Sequence, residues 1–282
     1  MNGFEQLALG WQCLWHTRRE SLRIELWGPW LALLSAQAVV IALLAFAAHP
    51  LVSWFMVPLL RATTAEDIVR YPELLRRLPA LAAEAAVVLG LLLGSLTVGV
   101  ATRQFADCFR GAPVRAALAW SEALRRWPAL LVSALPVALV GLLVQRLPDV
   151  LLAMRISSIT RHLLPEVFGA FGMLLAALLL YTTALVMIER RSVLVTLREV
   201  PATWKRGFLA ALVVVVLVTL VRLPLERLTL ASRVIVDRGI PELAIALALA
   251  QATVAAFAGF LLTGAATLVY LTAVADREED RW

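Results

Sequence analysis

Charged residues are scarce in this sequence of 282 residues: they make up 16% of the chain, whereas hydrophobic residues make up 61%. The mean hydropathy is +0.85, and the apolar residues are gathered in long blocks that contain no charge. A soluble protein of this length needs more polar surface, so the composition excludes an ordinary soluble domain. It is typical of a chain that crosses a membrane several times.

Residues that commonly carry chemistry are also few. There are three histidines (His16, His49 and His162) and two cysteines (Cys13 and Cys108). None of the histidines lies inside an apolar block, and no CxxC pair occurs, so neither a metal site nor a disulfide framework is indicated. The nucleophile, zinc and phosphate motifs GxSxG, HExxH and the P-loop are missing. We therefore predict that the chain is not an enzyme and needs no cofactor.

Six charge-free blocks are candidates for membrane spans. They cover residues 26–48, 85–102, 127–145, 167–188, 207–221 and 243–275. The fifth has only 15 residues between Arg206 and Arg222, so it needs snorkelling arginines or a thinned bilayer to cross. The blocks predict an all-α fold, a polytopic membrane helix bundle with six transmembrane helices, as a single membrane domain over residues 1–282.

The basic residues predict the orientation of this bundle. Of the 26 lysines and arginines, 15 fall on the segments that share a side with the N-terminus. By the positive-inside rule both termini are predicted to be cytoplasmic. The net charge of +6 lies at the ends of the apolar blocks, which favours contact with anionic lipid head groups and not with nucleic acid.

Short motifs recur along the chain at fixed distances. Arg146-Leu-Pro returns as Arg222-Leu-Pro, and Pro165-Glu166 returns as Pro241-Glu242, both 76 residues later. A further Pro-Glu pair stands at Glu73. We interpret these recurrences as three parallel helical-hairpin repeats, over residues 1–103, 104–188 and 189–282.

The segments before three of the spans predict amphipathic helices on the inner side. In the second and third repeats these segments carry tryptophans and a basic pair: Trp120, Arg125, Arg126, Trp204, Lys205 and Arg206. The first repeat offers a looser copy, with Phe4, Leu7, Trp11 and Leu14 on one face. Two interpretations stay open: helices lying in the membrane interface on anionic lipid, or connectors packed beneath the bundle.

The three Pro-Glu pairs also allow two interpretations. Proline suits the first position of a helix, and glutamate favours the positive end of the helix dipole, so each pair predicts the start of a returning helix. Alternatively, the repeat brings Glu73, Glu166 and Glu242 together as an ion or lipid site. The outer segments 50–78 and 146–166 are expected to form interfacial helices on the outer surface.

The segment from Glu189 to Phe208 carries a resemblance to a known family. There a charged residue and a serine precede a short amphipathic helix, a basic pair and a span. This pattern resembles the six-helix membrane domain fused to some bacterial glycerophosphodiester phosphodiesterases, and related stand-alone inner-membrane proteins. The resemblance implies a six-helix fold with an envelope or lipid-linked role. The phosphodiesterase barrel and its acidic and histidine ligands have no counterpart in this sequence, so its activity does not carry over.

Two functions follow as hypotheses. The first is a non-enzymatic integral inner-membrane protein that organises or assists a membrane or envelope complex, with membrane lipids and a protein as partners. The second is a transport component that handles a lipid or other hydrophobic substrate between the repeats. A cavity at a repeat interface favours transport, and a tightly packed interior favours the scaffold.

Overall fold

A computed structural model describes residues 2–63, 73–153, 158–230 and 242–279, and within these ranges the chain is helical without a β-strand. The first helix, α1, covers Gly3–Glu20 and begins with a capping box: Asn2 accepts from the Glu5 main-chain N–H, and the Glu5 carboxylate accepts from that of Asn2. A 3-10 helix at Ile24–Trp27 leads into α2, Gly28–Ala45, which has a proline in its first turn.

After α2 the chain turns and runs back through the bundle in the next helices. Helix α3 covers Pro50–Thr63 and α4 covers Glu73–Leu89. A π-helical turn, Gly90–Gly94, joins α4 to α5 at Ser95–Phe109. The chain then reverses at Gly111, which has a φ of 70°, a conformation that glycine adopts without the steric cost of a Cβ.

The remaining helices complete the bundle. They are α6 (Ala116–Arg125), α7 (Trp127–Ala153), α8 (Ser158–Leu179), α9 (Thr182–Met187), α10 (Val193–Leu230) and α11 (Leu243–Glu279). Helix α11 is central, because α1, α2, α4, α5 and α10 all pack on it. We call the side of the bundle that carries α1 and α6 the proximal side, and the side that carries α3 the distal side.

Among the described residues, five helical stretches are long and apolar enough to cross a membrane: Ile24–Ala45, Glu73–Phe109, Glu166–Met187, Gly207–Leu225 and Leu243–Thr272. A sixth is reached if α6 and α7, which are bent by 75° at Arg126, count as one span. The short fifth block is 19 residues long as a helix. The prediction of an all-helical, multi-pass membrane protein is therefore confirmed.

The proximal segments take a different form in each predicted repeat. In the first, α1 is a separate helix; in the second, α6 meets α7 at the 75° bend; in the third, α10 runs unbroken for 38 residues. Pro201 and Pro224 lie inside α10 without ending it, which membrane helices tolerate when neighbours satisfy the freed main-chain groups. The three-repeat arrangement stays a prediction.

The distal segments also differ from expectation. Helix α3 occupies the first of them, whereas residues 73–78 belong to α4. In the second segment, 146–166, the described residues are the ends of α7 and α8, and no separate surface helix occurs among them. The apolar spans thus continue further than their charge-free blocks, because main-chain hydrogen bonding extends a helix past its first polar residues.

Two clusters of buried side chains hold the bundle together. At the proximal end, the Trp27 ring stacks on Phe260 at 4.5 Å between centroids, and Phe105 meets Phe260 edge-on at 5.0 Å. At the distal end, leucines of α2, α3 and α4 surround Met56. Aromatic pairs of this kind contribute about 0.5–1.5 kcal/mol beyond their buried area, so the proximal ends of α2, α5 and α11 are fixed relative to one another.

Candidate functional site

Helix α1 turns its small and polar face towards the protein. The buried residues of this face are Gln6, Gly10, Cys13 and Thr17, at helical spacing. The Leu209 main-chain N–H donates to the Gln6 side-chain oxygen at 3.2 Å. Gly10 packs so closely on α10 that an added Cβ would lie 2.8 Å from the Ala210 carbonyl oxygen. Helix α1 is therefore a tightly docked part of the bundle.

The opposite face of α1 is apolar and exposed. Phe4, Trp11 and Trp15 keep 86%, 56% and 46% of their surface accessible, and Leu7 is also exposed. The Arg18 guanidinium lies 4.6 Å from the centre of the Trp15 ring, a cation–π contact. A run of exposed tryptophan and phenylalanine next to arginine suits the boundary between acyl chains and head groups, or a protein partner.

The Cys13 thiol lies on the docked face of α1. It is buried against the cluster that contains Phe105 and Phe260, and burial raises its pKa to about 12. The thiolate is the reactive form of cysteine, so this thiol stays protonated and unreactive in the folded protein. The thiol becomes accessible only when α1 leaves the bundle, so its rate of modification measures how firmly α1 is docked.

A cluster of partly buried ion pairs joins α5, α6 and the segment before α10. The Arg103 guanidinium lies 3.3 Å from the Asp107 carboxylate and 3.6 Å from that of Glu122. Arg190 approaches the other Glu122 oxygen at 3.2 Å. Next to it, Arg191 lies 3.3 Å from both Glu189 and Glu199.

This proximal charge cluster connects residues of all three predicted repeats, since Arg103 ends the first, Glu122 lies in the second and Arg190 in the third. Glu122 is 16% exposed and binds one arginine through each carboxylate oxygen, so its removal would leave two positive charges close together at low solvent exposure. Glu189 accepts from the Tyr270 hydroxyl of α11. The cluster therefore holds α5, α6, α11 and the segment before α10 together.

The predicted inner contact residues fall in different environments. Trp120 and Trp204 are half-buried, and the Trp204 indole N–H donates to the Leu178 carbonyl oxygen at 2.9 Å. The Arg126 guanidinium donates to the Val186 carbonyl oxygen. Arg125 is exposed on α6. The side chains of Lys205 and Arg206 lie outside the described residues.

The Pro-Glu pairs also behave differently from one another. Helix α4 begins at Glu73, which forms an ion pair with Arg76 of the same helix. Helix α11 begins at Leu243, directly after Glu242. Helix α8, however, begins at Ser158, so Glu166 lies two turns inside it. The prediction of a helix start at Pro165 is therefore wrong. A shared ion or lipid site of Glu73, Glu166 and Glu242 stays a prediction.

No metal site is formed by the described residues, since no group of three or more histidine, cysteine or acidic side chains comes together there. The His16 ring instead packs against Phe109, with 5.7 Å between the ring centres and the planes tilted by 50°. The His49 ring accepts from the Leu51 main-chain N–H at 3.3 Å, at the start of α3. The His162 side chain lies outside the described residues.

The bundle contains a cavity of about 240 Å³ between α2, α4 and α11, with Arg222 of α10 also in its wall. Gln37 and Gln251 are the other polar residues of the lining, and half of the 16 lining residues are alanine. The sequence interpretation missed both glutamines because it searched the spans for formal charge. Searching the apolar blocks for any strong hydrogen-bonding side chain would have found them.

Comparisons with protein-family models, with curated proteins and with solved structures give no match for this chain.

Proposed function

We propose that this chain is a non-enzymatic integral membrane protein that organises or assists a membrane or envelope complex. The observation that carries the proposal is the exposed apolar face of α1, on a helix whose other face is locked into the bundle. A docked helix that keeps Phe4, Trp11 and Trp15 outside presents a rigid surface, and rigid aromatic surfaces are where partners bind most strongly.

The proposal also states on which face of which membrane the protein acts. We place α1 and α6 at the cytoplasmic face of a bacterial inner membrane, with both termini inside and anionic lipid around the basic residues. Leu118, Leu124 and Arg125 are exposed on α6 and give the same side of the bundle a second apolar and basic surface. The resemblance to the membrane domain of glycerophosphodiester phosphodiesterases is compatible with this role and remains a proposal.

The test compares two matched triple variants in the native membrane. One carries Phe4→Ser, Trp11→Ser and Trp15→Ser on α1; the control carries serine at Leu51, Trp54 and Leu59, the exposed apolar residues of α3. After cross-linking and mild detergent extraction, the wild type and the α3 variant are expected to retain one stoichiometric partner, cross-linked through α1 or α6. The α1 variant is expected to lose it.

Two results would overturn this proposal. One is a wild-type protein that purifies without any stoichiometric partner. The other is an α1 variant that keeps the partner at the wild-type level, while brominated lipids quench more tryptophan fluorescence in the wild type than in this variant. In that case α1 would be a lipid contact alone, and the organising role would have no surface to act through.

A second candidate function, a transport component for a lipid or other hydrophobic substrate, is favoured by the cavity between α2, α4 and α11. These helices belong to the first and third predicted repeats, and the interface between repeats is where transporters place their substrates. Exchange of a fluorescent lipid between the two leaflets of reconstituted vesicles would separate the candidates. A scaffold leaves the exchange rate at that of protein-free vesicles.

A further inference from the structure

The cavity between α2, α4 and α11 contains an unsatisfied buried group. Gln37 is 9% exposed and lines the cavity. Its side-chain carbonyl oxygen is buried, and no donor among the described residues reaches it. An unpaired buried acceptor destabilises the folded protein, because it has lost its hydrogen bonds to water. Because Gln37 lies in the middle of the span Ile24–Ala45, a molecule that supplies a donor there would be stabilising.

Water alone does not fit this space. A volume of about 240 Å³ has room for several water molecules, and each buried water needs two to four polar partners. The lining offers polar side chains at Gln37, Gln251 and Arg222 only, while the rest is alanine and branched aliphatic residues. The occupant is therefore mostly apolar, with one polar group.

The polar side chains of the lining determine which polar group the occupant can carry. The Gln37 oxygen accepts a hydrogen bond, so an anionic oxygen placed against it would be repelled. A charged head group at this depth would also bear a large desolvation cost. A hydroxyl suits this acceptor, because it is neutral and donates a hydrogen bond to the Gln37 oxygen. The alanines of α4 and α11 leave a shallow, smooth wall for a hydrocarbon chain.

We propose that this cavity binds a neutral membrane lipid that carries a free hydroxyl, such as a diacylglycerol or a long-chain alcohol, with the hydroxyl on Gln37. Exposed Arg222 marks the part of the wall that reaches the protein surface. Lipid binding is required for the transport function and is compatible with the organising function. Failure of the binding test would therefore remove the former and leave the latter untouched.

The experiment uses the full chain reconstituted in vesicles with a trace of photoactivatable diacylglycerol, and peptide mapping of the cross-links. Gln37→Leu removes the acceptor at nearly constant volume, and Ala252→Leu fills the cavity while both glutamines remain. The matched control is Gln12→Leu, on the exposed surface of α1. Labelling of α2 and α11 is expected to fall about tenfold in both cavity variants, the factor that corresponds to about 1.4 kcal/mol, and to stay unchanged in the control.

Three outcomes would overturn the proposal. Labelling of α2 and α11 that is equal in wild type and both cavity variants would show ordinary lipid contact at the surface. Equal labelling by a photoactivatable phosphatidic acid, which has the same chains and an anionic phosphate in place of the hydroxyl, would show that the hydroxyl is not selected. No labelling of these helices in the wild type would leave the cavity to water. If Gln37→Leu does not fold, Ala252→Leu decides alone.

Discussion

The docking of α1 can be tested by the size of the side chain at position 10. Gly10 sits where a Cβ would lie 2.8 Å from the carbonyl oxygen of Ala210 and 3.1 Å from its Cα. Both atoms are main chain of α10, so the contact cannot be relieved by turning a side chain. Alanine at this position must push the two helices apart, and overpacking of this kind costs about 1–3 kcal/mol.

A second effect acts in the opposite direction. Replacing glycine by alanine inside a helix gains about 1 kcal/mol in helix propensity, which offsets part of the steric cost. Gly10→Leu keeps most of the gain and adds a larger clash, so the net loss grows from alanine to leucine. Gly141 on α7 is the matched control, because nothing lies within 4 Å of the position of its Cβ. There the same substitutions should be neutral or stabilising.

The assay is alkylation of Cys13 in mild detergent at slightly alkaline pH, with the modified peptide identified by mass spectrometry. In the docked state the thiol is 3% exposed, and burial raises its pKa to about 12, so modification requires α1 to open. The rate should rise about tenfold for each 1.4 kcal/mol of lost docking energy. It should therefore increase in the order wild type, Gly10→Ala, Gly10→Leu.

The reasoning would be refuted if Gly10→Leu were alkylated as slowly as the wild type. It would also be refuted if the Gly10 and Gly141 series changed the rate equally, because then propensity and not contact with α10 would govern the result.

Further predictions concern the charge cluster, the α8–α10 contact and the topology. Glu122→Gln should lower the free energy of unfolding by about 1–3 kcal/mol, because two neighbouring arginines lose the carboxylate that they share. Glu25→Gln, on the exposed surface, should change this free energy little. Chemical denaturation monitored by intrinsic fluorescence measures both. Tyr181→Phe removes a buried hydroxyl that donates to a main-chain carbonyl of α10 at 2.7 Å, so melting in detergent should show a loss of about 0.5–1.5 kcal/mol, and an unchanged melt would show that the bond contributes nothing. Cysteines placed at Leu51 and Leu118 should react with an impermeant maleimide from opposite sides of oriented vesicles, and labelling from one side would contradict the topology.

The spans could be predicted from the sequence because the cost of placing charge in hydrocarbon is large enough to mark their limits. Which face of α1 packs against the bundle could not be predicted in the same way. Periodicity identified Phe4, Leu7 and Trp11 as one face, but in a membrane lipid solvates an apolar face as well as protein does. The face that docks is the one with small residues and a glutamine, because it permits close approach and a hydrogen bond. Gly10 is the residue that carries this information.

The helix limits show a related weakness of sequence interpretation. Pro165 and Glu166 have the residue types of a helix start, yet α8 begins at Ser158. Proline ends a helix in water because main-chain groups lose their partners, whereas inside a bundle neighbouring groups compensate for part of that loss. At Glu166 the residue types alone therefore do not locate the start of the helix.

The π-helical turn at Gly90–Gly94 determines the shape of the interior from outside the cavity. A π turn holds one residue more than an α turn, so it rotates the helix before it by about 100° relative to the helix after it. Helix α5 is anchored through Arg103 to the proximal charge cluster, and α4 carries that extra rotation. The alanines of residues 82–86 line the cavity because of it. Deleting one residue from this turn would rotate α4, so that a different set of its side chains would face Gln37.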